Sequence, residues 1–159
     1  MKNFADVVRL PLPIKRNIDL SSLIRYVTLF MQGTATQKNV EIVLHNCDDA
    51  STIEADQVQM EQIFVNIIKN AMEACEEEGI VKITLAQDKL KISNNGKPIK
   101  PEVAVLLFDP FYSTKTNGQG IGLTLTKEIL SNHSFSFSLQ TDASGWTNFI
   151  IQTASKPMN

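Results

Sequence analysis

Cysteine is almost missing: Cys47 and Cys75 are the only two in 159 residues. They are too few and too isolated for a disulfide framework or a four-ligand zinc site, so a reducing compartment and two small core residues are expected. No apolar run approaches the roughly 18 residues of a membrane-spanning helix, and Met1-Lys2-Asn3 leads into mixed polar sequence instead of a signal peptide. A soluble, cytoplasmic domain without direct membrane contact is expected. An excess of one charge is missing too: 15 basic and 17 acidic side chains give a net charge of −2, with no like-charge block beyond Glu76-Glu77-Glu78 and its neighbours. Such a surface has no electrostatic footprint for nucleic acid. Internal repeats and low-complexity tracts are absent. What remains is a chain of 43% hydrophobic residues, close to the roughly 150 residues of one domain and long enough for a real core.

The opening segment differs from the rest. Phe4 to Leu10 is patterned as the end of a helix and runs into Pro11-Leu12-Pro13, which cannot continue it. Residues 1–17 are therefore expected to be a linker after a truncated helix, and residues 18–159 the folded domain. Asp19-Leu20-Ser21-Ser22 reads as a cap, and Leu23, Ile24, Val27, Phe30 and Met31 recur at helical spacing up to Gly33. Val40 to Leu44 alternates like a strand, and turn chemistry at Asn46 to Asp49 returns the chain through Ala50 to Thr52.

The most periodic segment is Asp56 to Glu77, where Met60, Ile63, Ile67, Ala71 and Ala74 form one apolar stripe. Gly79 follows it, then strands at Ile80 to Leu85 and Leu90 to Ser93 and a turn at Asn94-Asn95-Gly96. Pro101-Glu102 opens a short helix through Leu107, Phe108 to Gly120 reads as a loop, and Gly122 to Leu130 as a helix. Strands at Phe135 to Gln140 and Thr147 to Thr153 close the chain around a turn at Asp142 to Gly145. Helices separated by mostly antiparallel hairpins predict an α+β two-layer sandwich, a mixed, mainly antiparallel sheet with helices on one face.

Two placements point to chemistry. On the 56–77 helix, Gln62, Asn66, Asn70, Glu73 and Glu77 form a polar stripe beside the apolar one. Asparagine competes for backbone bonds and is a mediocre helix former, so two at i, i+4 near a core boundary need buried partners or a ligand. An amide oxygen is a hard donor that suits Mg²⁺ beside nucleotide phosphates, which makes Asn70 the metal-ligand candidate. The second is Thr116 to Leu123, where glycines lead into a helix start and backbone N–H groups can meet phosphate oxygens. The glycines do not have dinucleotide-fingerprint spacing, and no GxxxxGK[ST] loop exists. Each feature also has a plain structural reading, a satisfied polar seam or a flexible connection.

Together the motifs carry a resemblance. NIIKNAMEA at 66–74, NNGKPI at 94–99, FDPFYSTK at 108–115, GQGIGL at 118–123 and GWTNF at 145–149 stand in a fixed order. The chain resembles the catalytic ATP-binding domain of sensor histidine kinases, in the Bergerat-fold ATPases that also include DNA gyrase and heat-shock chaperones. The resemblance covers Asp19 to Thr153, and FADVVRLPLP resembles the end of the dimerisation hairpin in kinases of the nitrogen-regulation type.

The resemblance implies ATP and Mg²⁺ as cofactors, with Asn70 holding the metal and Asn66 and Lys69 beside it as catalytic candidates. An amide at Asn66 cannot take a proton from water, so fast hydrolysis is not expected. Asn94 stands where the family usually has Asp facing the adenine amino group, and Pro98 where a second glycine is common. Gly96, Ile99, Phe108 and Thr147 would surround the base, with Phe108 equally readable as core. Lys115, Gly118, Gly120, Ile121, Gly122 and Leu123 would form the nucleotide lid and its helix entry. Neither His45 nor His133 is placed as a phosphoacceptor. The partners implied are a histidine-bearing dimerisation domain and a downstream response regulator. The rival readings are a protein-interaction module with a degenerate pocket, a self-contained ATPase, and a serine kinase of the anti-sigma type.

Overall fold

Asp19 ends one element and opens another. The computed structural model describes residues 10–49, 51–76, 78–109 and 121–153. A strand, β1 (Arg16–Asp19), runs directly into helix α1 (Leu20–Gln37). The Asp19 carboxylate accepts the Ser21 N–H at 3.2 Å and the Ser22 hydroxyl at 2.7 Å, satisfying orphan groups of the first helical turn. The same carboxylate accepts the Ser51 N–H at 3.1 Å, fastening the helix start to the next strand pair. The helix does not stop at Gly33 as expected. A methyl group added there would meet nothing within 4 Å, and an exposed glycine inside a helix costs only about 1 kcal/mol. The chain turns instead at Asn39, whose φ is 56°.

β2 (Val40–His45) and β3 (Thr52–Ala55) follow, but they do not pair with each other. β3 pairs antiparallel with β1, Arg16 opposite Ala55 and Asp19 opposite Thr52. The expected linker therefore gives way to a strand at Arg16, and the chain after Asn46 joins a separate two-stranded sheet. Helix α2 (Gln57–Ala74) is capped by Asp56, which accepts the Gln59 N–H at 3.1 Å and the Ile14 N–H at 2.9 Å. It is a turn shorter than its periodicity suggested, because the chain leaves the helix at Cys75 and Glu76 takes φ 53°.

The main sheet adds β4 (Gly79–Ala86), β5 (Lys89–Asn94), β6 (Ser136–Thr141) and β7 (Thr147–Gln152), in the order β2-β4-β5-β7-β6. Only β2 with β4 is parallel; the other pairs are antiparallel. Helices α3 (Pro101–Leu106) and α4 (Ile121–Asn132) lie between β5 and β6 in sequence.

Because side chains alternate along a strand, the register sorts the inner face into rows. Leu85, Leu90, Ile151 and Phe137 form one row, and Ile83, Ile92, Phe149 and Leu139 the next. α1, α2 and α4 close over this face with Leu23, Ile24, Val27, Ile63, Phe64, Ile67, Ile129 and Leu130, all buried. Lys82, Lys89, Ser136 and Gln152 alternate outward and are exposed. This is the α+β sandwich expected, with helices on one face. Cys47 and Cys75 are free and buried in the core, as read.

Candidate functional site

The third row of the inner face breaks the apolar pattern. Val81 faces Asn94, Asn94 faces Thr147, and Thr147 faces Thr141. Asn94 and Thr147 are 6% and 2% exposed. Polar groups buried this deeply need partners. Thr141 Oγ1 lies 2.7 Å from Thr147 Oγ1 and accepts the Ile99 N–H at 2.8 Å. Asn94 Oδ1 accepts the Gly96 N–H at 3.0 Å, so the side chain folds over its own turn.

That turn is held against the end of α2. The Lys97 N–H donates to the Ala74 carbonyl at 2.9 Å, and a Cβ on Gly96 would fall 2.2 Å from the same oxygen. Only glycine lets the two backbones pass this closely.

Above the polar row opens a cavity of about 590 Å³, within the usual range for small-molecule sites. One wall is α2, with Ile67, Asn70, Ala71, Glu73 and Ala74; the floor is the sheet, with Ile92, Asn94, Leu139, Thr147 and Phe149. The 97–107 segment supplies Lys97, Pro98, Ile99, Lys100, Val103 and Leu107, and α4 supplies Leu123. The arrangement suits a flat, largely apolar ligand with a polar edge directed at Asn94 and Thr147.

Of the residues expected at the site, Asn70, Asn94, Ile99, Leu123 and Thr147 line this cavity, and Gly96 braces its rim. Asn66, one turn before Asn70, is half-buried and Lys69 is exposed; neither belongs to the wall. Phe108 packs on Phe137 and Phe149, centroids 5.4 and 6.1 Å apart, and Phe149 is the ring that reaches the cavity. Ile121 and Gly122 begin α4. Lys115, Gly118 and Gly120 lie outside the described residues. Lys97, Lys100, Val103, Leu107 and Phe149 were not foreseen. Sequence marked Val103 and Phe149 as apolar positions of a helix and a strand, and nothing distinguished cavity wall from core.

A donor set for Mg²⁺ can be tested on the same geometry. Asn70 presents a neutral amide, and among the described residues no group of three His, Cys, Asp or Glu side chains converges. That suits an ion that keeps several waters and takes its other oxygens from phosphates. Among the described residues no helix is long and apolar enough to cross a membrane.

Residues 55–157 match the family described as histidine kinase-, DNA gyrase B-, and HSP90-like ATPase. The chain is 32% identical over 124 residues to Sporulation kinase A of Bacillus subtilis (strain 168), covering 76% of this chain and 20% of that protein. The chain thus spans about a fifth of that relative's length. The nucleotide-free catalytic domain of histidine kinase ThkA superimposes with a TM-score of 0.78 at 28% identity, covering 89% of this chain and 95% of that one. ThkA in complex with response regulator protein TrrA superimposes with a TM-score of 0.69 at 26% identity, over 88% of this chain and 42% of that one.

Proposed function

Because the chain belongs to the histidine kinase-, DNA gyrase B-, and HSP90-like ATPase family, we propose that it presents Mg·ATP for transfer of the γ-phosphoryl group to a histidine on a separate dimerisation domain. The observation that carries this reading is the polar row Asn94–Thr147 at the floor of a cavity whose opposite wall holds Asn70. Ile99, Leu123 and Phe149 would hold the base, Asn94 and Thr147 would meet its polar edge, and Asn70 would serve the phosphate end. An open cavity of this size also speaks against a degenerate module.

Phosphoryl transfer asks mainly for positioning and charge neutralisation. The incoming histidine nitrogen forms the N–P bond with its lone pair as the bond to the bridging oxygen breaks, ADP leaves, and the ring loses its proton to solvent. Asn70 would hold Mg²⁺ through its amide oxygen; when bound, the ion neutralises phosphate charge. Asn66, an amide beside that wall, provides no general base, so water is not activated there. We assign Lys69 and Lys115 as point charges for phosphate oxygens, and Gly118, Gly120 and Gly122 as the glycines of the nucleotide lid. The ThkA complex with a response regulator supports a regulator as the downstream partner. The free, buried cysteines suit the cytoplasm.

The test is incubation with γ-labelled ATP and a separately purified histidine-bearing dimerisation domain. Acid-labile label on that domain is expected. Label released only as inorganic phosphate would favour an ATPase, and label on a serine the anti-sigma reading.

A further inference from the structure

The orientation of the Asn94 amide decides which purine edge the cavity reads. Its Oδ1 accepts the Gly96 N–H at 3.0 Å. A backbone N–H only donates, so the reversed amide would set two donors against each other, and the flip is closed. Gly96 cannot move away to release it. Its neighbour Lys97 is tied to the Ala74 carbonyl at 2.9 Å, and the glycine itself sits against the Ala74 and Cys75 backbone with no room for a Cβ. Asn94 is 6% exposed and lines the cavity, and its Nδ2 is hydrogen-bonded to no group among the described residues. The group left without a protein partner is therefore the N–H donor, while Oδ1 already holds one bond.

Adenine presents an amino donor at position 6 and an acceptor at N1. Hypoxanthine and guanine present an acceptor at O6 and a donor at N1. A fixed Nδ2–H₂ matches O6 directly, whereas with adenine it can use only N1 and leaves the amino group facing another donor. Thr147 beside it does not oppose either base, because a hydroxyl rotates to donate or accept. From this geometry we infer that Asn94 is a specificity-determining residue that opens the site to 6-oxopurine nucleotides, which bind at least as well as ATP. The inference rests on the reading of the cavity as a nucleotide site.

The experiment is calorimetric titration of the wild-type chain with ATP and with ITP, both in Mg²⁺ buffer. ITP differs from ATP at the 6-position and N1 alone, without guanine's 2-amino group. An ITP dissociation constant below, or within roughly threefold of, that for ATP is expected. Asn94→Asp, which still accepts the Gly96 N–H, places a carboxylate where the amide nitrogen stood. It should then shift the ratio toward ATP by roughly tenfold or more, since a charged acceptor strengthens the amino contact and repels O6. A wild-type preference for ATP beyond that threefold limit overturns the inference while leaving the nucleotide site intact, and so does an unmoved ratio in a folded Asn94→Asp variant. Binding of neither nucleotide by the wild type counts against the nucleotide site, and the inference falls with it.

Discussion

His133 Nε2 accepts the backbone N–H of Asp56 at 3.0 Å, across 77 positions of sequence. The other ring nitrogen, Nδ1, donates to the Ile129 carbonyl at 2.8 Å, so the ring is a neutral tautomer that ties the end of α4 to the start of α2. Two walls of the cavity are thereby joined at their base.

Burial, the largest effect, pushes the His133 pKa below its ordinary 6.5. The unfolded chain therefore binds a proton that the folded chain resists, and stability falls as pH drops. This contribution is complete above pH 6.5 and is lost as pH falls from there through the folded-state value. Melting temperatures should hold on the alkaline side and decline below about pH 6.5. His133→Phe should remove that slope and, by stranding the Asp56 N–H, cost about 1–3 kcal/mol at pH 8. Thermal unfolding across pH checks both, and a wild-type curve flat down to pH 5 would contradict the assignment.

Gly96→Ala forces a Cβ to within 2.2 Å of the Ala74 carbonyl oxygen, a backbone atom that cannot rotate away. The turn must lift from α2, at a cost on the order of 1–3 kcal/mol for overpacking. Because Asn94 and Lys97 move with it, nucleotide affinity should fall more than for a surface substitution of equal stability cost. Paired denaturation and binding measurements separate the two effects.

Asp142 organises the turn between β6 and β7. Its carboxylate accepts bonds from the Ser144 hydroxyl and N–H, the Trp146 N–H and Asn148 Nδ2. Ser144 first and Asn148 next hold its pKa down to about 2. The stabilisation is present above pH 3.8 and is lost as pH falls toward about 2. Asp142→Ala should loosen the hairpin that presents Thr141 and Thr147, seen as faster amide exchange in β6 and β7 with the rest of the sheet unchanged.

Sequence made the inner face of the sheet and α2 legible because their periodicities are long and regular: five apolar positions mark one side of the helix. It missed β1, because four residues after a proline pair carry too little alternation to announce a strand, and their partner lies more than thirty residues on. The run past Gly33 was hidden because glycine reads as a stop while an exposed glycine is cheap to keep in a helix. At the site, Asn70 stood out as an amide beside the apolar stripe of its helix, whereas Asn94 and Thr147 were legible only through the resemblance of the motifs that hold them. The orientation of the Asn94 amide depends on the Gly96 N–H, a backbone contact no residue pattern encodes. Lys97, Lys100 and Leu107 reach the cavity only because the chain folds back from Gly96 over α2.

The central claim is that Asn70 and the Asn94–Thr147 row face one Mg·nucleotide. Calorimetric titration with a non-hydrolysable ATP analogue, with and without Mg²⁺, on the wild type and on Asn70→Ala tests it most directly. The account predicts binding that strengthens with Mg²⁺ in the wild type, and loss of that Mg²⁺ dependence in Asn70→Ala, with the fold intact by circular dichroism. No binding by the wild type at millimolar analogue, or equal Mg²⁺ dependence in both proteins, would contradict it.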